Sequence, residues 1–563
     1  MKVSQLFGLS LRPDGASSGL MGHDMLIRAG FVRRLTQDNW LTLSLGMHLQ
    51  NRVRDLLQNQ LSQIGATEIS LSLLHMAPEA SVGFVDGSTE RVQKLEDSGK
   101  QYFLGPHQLQ AILHLIQSEV HSYRQLPLII FQSRQAPFFA TFAGKGLYDP
   151  IVPQILEAWV IASSKEQLGE RLSSLDHLIK SSFQSLDIPI ESVHSDPGVI
   201  GARQAISYLY PTEQGGWPYL QLGEELLAYG MAPFTPSPQA STPLPLEKVH
   251  TPGTKTIKDL AALLQIDASQ TAKAVFYTST STLHASSKLV MVVIRGDLDV
   301  NEMAVRRALE SSHLRASTDE EIQLSGAVPG YASPIGLNRE LITILADKSV
   351  VQQSNLVAGA NELDYHLLNC CYGREYEADM VGNFCLFPTH TTNSMLGTEL
   401  SKCIEIGSEW PGRQDITFMG QHGKPTPIHL GYAYWNLSNI MATIADIHHD
   451  EHGLRLPADI SPFAVMLVSL VDGEETIRIA DQLYHELLDI GISVLYDDRH
   501  KKVAGPGIKF TDADLRGIPI RITVAKRALK QGGVEWKLRT SSEKRLVAID
   551  QVLPQLLQVF PLD

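Results

Sequence analysis

PFTPSPQASTPLP, Pro233 to Pro245, is the stretch that divides this chain. Its density of proline, serine and threonine denies the backbone a regular hydrogen-bond pattern, so a linker is predicted. A new module begins near Val249. TIKDLAALLQI repeats apolar residues at helical spacing, AKAVFYT and KLVMVVIRG are short strand-like runs, and VNEMAVRRAL is helical again. A Gly/Pro-rich loop spans Gly326 to Gly336. This alternation over about 140 residues predicts a separate α/β domain.

Upstream of the linker, residues 21–64 read as two helices around a short extended stretch, with Leu26, Phe31 and Leu35 near one face. Gly65 is predicted to stop the second helix. TEISLSLL alternates like a strand, residues 107–124 look helical, and PLIIFQ is a short buried strand. Downstream, a last module starts near Ser461. FAVMLVSL, ISVLYDD and IRITVA read as strands, separated by helical ETIRIADQLYHELLDIG and FTDADLRGI. That order predicts an α/β domain with a largely parallel sheet.

Composition excludes several classes. No run of about 18 apolar residues predicts a membrane span, and Met1 to Arg12 lacks the apolar core of a signal peptide. The cysteines Cys370, Cys371, Cys385 and Cys403 are too few for a disulfide framework and lack zinc spacing. A cytoplasmic protein is expected. A net charge of −14 argues against a protein that coats nucleic acid, yet leaves room for a local basic patch. Arg28–Arg33–Arg34, His500–Lys501–Lys502 and Lys526–Arg527–Lys530 are such clusters, each more often a solvated face than an RNA contact.

The order of modules, with LIRAGFVRRL, SYRQLPLIIFQ, TPGTKTIKDLAALL, IRGDLDVNE, GAVPGYASPIGL, AGANELDYH, SPFAVMLVSL, ISVLYDDR, GPGIKFTDADLRGIP and EWKLR, resembles bacterial-type prolyl-tRNA synthetases over nearly the whole chain. The resemblance implies a mixed α/β (α+β) protein with these parts: residues 1–235, the first part of a class II synthetase antiparallel-sheet catalytic domain; 236–247, a linker; 248–386, an inserted α/β editing domain of the prolyl-tRNA deacylase type; 387–459, the second catalytic part; and 460–563, an α/β anticodon-binding domain.

The matches fail where ligase chemistry would sit. Class II enzymes hold ATP's phosphates with fixed cations, a motif 2 arginine with a nearby acid and a motif 3 arginine. Aligned from Gln132, the motif 2 pair falls on Phe138 and Ala140 in QAPFFATFAGKG, where Lys145 is the one basic residue. The motif 3 turn corresponds to GYAYWNLSN, with bulky Tyr434 and Trp435 in or beside it and Asn439 in place of the arginine. Asparagine cannot imitate that permanent forked charge. The family's Thr-x-Glu loop becomes His107-Gln108-Leu109, so the carboxylate for the prolyl ammonium is a leucine. A family histidine becomes Ser408, and the motif 1 proline becomes Ser72.

The editing positions are filled. Lys273 matches the lysine that meets the tRNA's 3′-terminal phosphate, and His366 matches a histidine near the aminoacyl pocket. Gly330 and Pro334 match a loop whose backbone N–H groups can support the reacting carbonyl, with Ala332 and Ser333 between them. Asp297, Asn301 and Glu302 match as pocket support. This chemistry needs no metal. Taken singly, Lys273 would be a surface lysine, His366 a core histidine and Gly330–Pro334 a turn; their appearance in register favours function. Asp497, Asp498 and Arg499 are expected to serve the anticodon domain, although such residues also form plain turns. HHDEH at 448–452 is read as a polar loop rather than a metal cluster, and Cys370 and Cys371 as small buried residues.

The expected function is a tRNA-binding protein that has lost proline activation and hydrolyses misacylated alanyl-tRNA for proline in trans. A non-catalytic partner subunit and a proline–tRNA ligase with divergent motifs are the alternatives. No cofactor is expected, with ATP binding in doubt. Expected partners are proline tRNA, a second copy of the chain in a homodimer, and a protein partner under the subunit reading.

Overall fold

The computed structural model describes residues 1–12, 19–36, 39–72, 75–76, 93–97, 100–104, 108–136, 145–197, 202–234, 236, 241–281, 287–388, 394–470 and 473–560. Its central body is a nine-stranded sheet in the order 204–211, 191–195, 225–228, 217–222, 395–407, 429–436, 154–162, 128–135, 67–68. The strands Met395–Gly407 and His429–Asn436 follow the insertion in sequence but lie in the middle of this sheet. The domain on either side of the insertion is therefore one body. The strands 128–135, 154–162, 429–436 and 395–407 pair antiparallel in turn.

Side chains of Gln154–Ala162 alternate across this sheet, as a pleat requires. Leu156, Ala158, Val160 and Ala162 join a core with Leu168, Leu175, Ile179 and Phe183 of the helix Lys165–Ser185. That helix starts where Ser164 Oγ accepts the Gln167 N–H at 3.2 Å. Trp159 and Ile161 face the other way, against Tyr432, Tyr434 and the Leu109–Glu119 helix.

The inserted domain is a five-stranded sheet in the order 311–316, 272–281, 287–295, 342–347, 380–382, beside a three-stranded sheet of 247–250, 365–370 and 356–359. The C-terminal sheet runs 494–497, 465–469, 520–524, 533–538, 544–548. Its first three strands are parallel, and the last two are added antiparallel.

Two local expectations change. The first helix, Met21–Ala29, ends at Gly30, where φ is +87°. A left-handed glycine is a common helix stop, so Phe31 lies beyond the helix and Leu35 falls on the strand Val32–Thr36, 58% exposed. Among the described residues of TEISLSLL, Thr67–Glu68 alone is strand; it sits at the sheet edge and makes two pairings.

The first helix is locked in place by His23, which is fully buried. Its Nδ1 accepts the Leu147 N–H at 3.1 Å, and its ring stands edge-on to Tyr148 at 4.7 Å. Burial pushes its pKa down to about 4, so it stays neutral in the fold. Unfolding returns it to about 6.5, so the unfolded chain binds the extra proton and His23's contribution is lost as pH falls from about 6.5 to 4. Urea unfolding at pH 7 and 4.5 should show a loss of about 2 kcal/mol from this residue, absent in His23→Gln.

Candidate functional site

The face of the central sheet that carries Trp159 also carries Glu157, which has no solvent exposure. Arg134 grips it with two bonds, Nε to Oε1 at 2.8 Å and Nη2 to Oε2 at 2.9 Å. Gln132 Nε2 donates to Oε1 at 2.7 Å, and the Tyr432 hydroxyl donates to Oε2 at 2.9 Å. Burial works against the charge, but Arg134 outweighs it and holds the Glu157 carboxyl below the usual range. Gln132 also donates to Gln108 Oε1 at 2.6 Å, and Gln108 donates to the Ser72 carbonyl at 3.0 Å. A second set lies beside it: the Tyr434 hydroxyl bonds Glu399, which also accepts from Ser207.

Asn439 is buried and fully engaged. Its Nδ2 donates to Asp149 Oδ1 at 2.8 Å, to the Glu399 carbonyl at 3.0 Å and to Thr398 Oγ1 at 3.2 Å. Its Oδ1 accepts the Asp149 N–H at 2.9 Å. It closes the chain near Asp149 onto the sheet. Among the described residues, this face presents ring planes and paired charges.

The inserted domain holds a small cleft lined by Ala272, Lys273, Ala274, Val293, Ala332, Ser333, Pro334, Leu356, Ala358, Cys370 and Tyr376. Its walls are short apolar side chains, with room for a small group. Lys273, at the rim, pairs with Asp299 at 3.2 Å, whose side chain is 85% exposed. Burial pushes the Cys370 thiol up to about 12, so it is protonated and no nucleophile. The cleft thus offers a cation, a shaped wall and a loop backbone, which suits attack by water on a small ester.

Residues 251–370 match the family described as "Aminoacyl-tRNA editing domain", and residues 464–558 match "Anticodon binding domain". A proline–tRNA ligase of Dehalococcoides mccartyi (strain CBDB1) is 30% identical over 578 residues, covering 99% of this chain and 98% of that protein. The chain belongs to the prolyl-tRNA synthetase family. The Bacillus subtilis (strain 168) proline–tRNA ligase is 28% identical over 575 residues, covering 96% of this chain and 97% of that protein. In fold, the chain is similar to a Giardia lamblia prolyl-tRNA synthetase in complex with prolyl-adenylate. That likeness has a TM-score of 0.55 at 14% identity and covers 95% of this chain and 78% of the other.

The editing residues expected from the synthetase family are only partly brought together. Lys273, Ala332, Ser333 and Pro334 meet in the cleft. Gly330 opens the loop with φ +86°, and a Cβ there would press on the Lys255 stem. His366 lies outside the cleft lining, its Nδ1 2.6 Å from Thr251 Oγ1 and its ring 5.5 Å from Tyr331. Burial lowers its pKa. Asp297 is gripped by Arg295 at 2.6 Å and 2.8 Å. Asn301 caps the helix Glu302–Leu309 and donates to the Gly230 carbonyl at 2.7 Å, tying the insertion to the chain that precedes the linker. Glu302 bonds Tyr277.

Elsewhere the structure gives the contacts of the other residues singled out above. Asp497 and Arg499 are buried in a network with Asp512 and Lys509, which gives them a structural part. Asp498 holds Ser4 of the N-terminal segment through both carboxylate oxygens, at 3.0 Å and 2.6 Å. Asp450 of HHDEH makes a forked pair with Arg539 at 2.7 Å and 2.8 Å. All four cysteines are free and buried. Leu109 is buried at the start of its helix, and Ser408 precedes the short helix Glu409–Arg413. His107, Phe138 and Ala140 lie outside the described residues.

Glu157, Arg134 and Glu399 escaped the sequence reading. The one signal was a glutamate inside the apolar run QILEAWVIA, which demands a buried partner. Removing that partner strands the charge. Arg134→Met should cost about 3–5 kcal/mol in denaturant unfolding, and Arg134→Met with Glu157→Leu should recover most of it.

Proposed function

We propose that this chain binds tRNA and hydrolyses a small, wrongly attached aminoacyl ester, alanyl on proline tRNA first, without activating proline itself. The observation that supports loss of synthesis is the Glu157–Arg134 pair with Tyr432 and Tyr434. These side chains occupy the sheet face on which a class II enzyme would set ATP and an amino acid, and the cations there are already paired. The editing cleft supports the hydrolytic half: apolar walls sized for a methyl group, and Lys273 at the rim for a phosphate. Binding to tRNA follows from the two domain matches. We place the activity in the cytoplasm, with the chain working as a homodimer.

A second reading, a proline–tRNA ligase with divergent motifs, has the comparisons on its side. The full-length relatives carry that name. It requires ATP to be held by groups other than those that the family motifs supply.

Two assays separate the readings. Alanyl-tRNA bearing the proline anticodon should be deacylated by the full chain, and Lys273→Ala should lower kcat/KM by about 10–100-fold, the worth of one charged hydrogen bond. Proline-dependent exchange of pyrophosphate into ATP should stay at background. Exchange above background would establish the ligase reading instead.

A further inference from the structure

The loop from Gly330 to Pro334 is held by one side chain to which nothing above gives a role. Asn361 Oδ1 accepts the Ser333 N–H at 3.0 Å. Its Nδ2 donates to the Ser333 carbonyl at 3.0 Å and to the Ile335 carbonyl at 2.7 Å. Its own backbone N–H reaches the Tyr331 carbonyl at 2.9 Å. One residue therefore fixes three positions of the loop.

The surrounding chain is arranged for this clamp. Asn361 sits at φ +51°, a left-handed conformation that asparagine tolerates better than most residues. Three residues on, Asp364 Oδ1 accepts the Tyr331 hydroxyl at 2.7 Å and the Gly253 N–H at 2.9 Å. Just before, Gly359 lies so close to the Tyr331 carbonyl that any Cβ would collide with it.

The clamp decides which loop N–H is left for a ligand. The Tyr331 N–H bonds the Val328 carbonyl at 2.9 Å, the Ser333 N–H is taken by Asn361, and Pro334 has none. Among the described residues, the Gly330 and Ala332 N–H groups of this loop have no acceptor within the chain, and of the two residues only Ala332 lines the cleft, with Lys273. An N–H held rigidly toward developing negative charge stabilises an ester-hydrolysis transition state more than the bound ester.

We propose that Asn361 is a positioning residue for ester hydrolysis: it holds the loop so that the Ala332 N–H faces the carbonyl of the bound aminoacyl ester. This rests on the editing reading above. The test is kcat and KM of the full-length chain on alanyl-tRNA with the proline anticodon, for Asn361→Gly and Asn361→Asp, with melting measured alongside. Glycine keeps the left-handed backbone and loses the clamp; aspartate keeps the acceptor for the Ser333 N–H and loses both donors.

The expected result is a kcat lowered about a hundredfold in Asn361→Gly and less in Asn361→Asp, with KM within about twofold of the unaltered chain. A kcat within about twofold in Asn361→Gly, or in Asn361→Asp should glycine unfold the domain, would overturn the assignment. A lowered melting point with kcat unchanged would do the same, leaving Asn361 a structural brace. No hydrolysis by the unaltered chain would remove the editing reading and this assignment with it.

Discussion

A carboxylate without solvent contact has to be neutralised from inside the chain, and Glu157 on the strand Gln154–Ala162 of the nine-stranded sheet sets that demand. Arg134 on the neighbouring strand meets it with a forked pair, Gln132 and Tyr432 take the remaining lone pairs, and Gln108 continues the chain of bonds to Ser72. Four elements distant in sequence are thereby held on one surface. The rings of Tyr432 and Tyr434 pack on the same face, against Trp159.

The inserted domain solves the opposite problem. Its cation, Lys273, is kept at a rim and pairs with a solvent-exposed carboxylate. An exposed pair of this kind is worth little and yields readily to a phosphate. The cleft it borders is lined by apolar side chains and by the loop that Asn361 holds.

The C-terminal domain carries the third pattern. Asp497, Arg499, Asp512 and Lys509 form a buried network behind the sheet edge, so these charges hold strand to helix. Lys2 pairs with Asp481 and Ser4 with Asp498, so the N-terminal segment docks on this domain too. The body around the central sheet and the C-terminal domain are thus joined by charge as well as by chain.

Much of this was legible beforehand. The helix and strand alternation of the inserted and last modules and the stop at Gly65 follow from local composition and period, which act over a few residues. So did the small buried cysteines. The helix stop at Gly30 and the short strand at Thr67 were misjudged, since an apolar pattern continues through a turn without showing it. By itself the sequence determined the order of domains and the family to which they belong. Only the tertiary structure decided that Glu157 meets Arg134, that His366 packs against Tyr331, and that Asn361 clamps its loop. These contacts join residues 23, 35 and 28 positions apart, and no local period records which distant side chain a buried polar group will find.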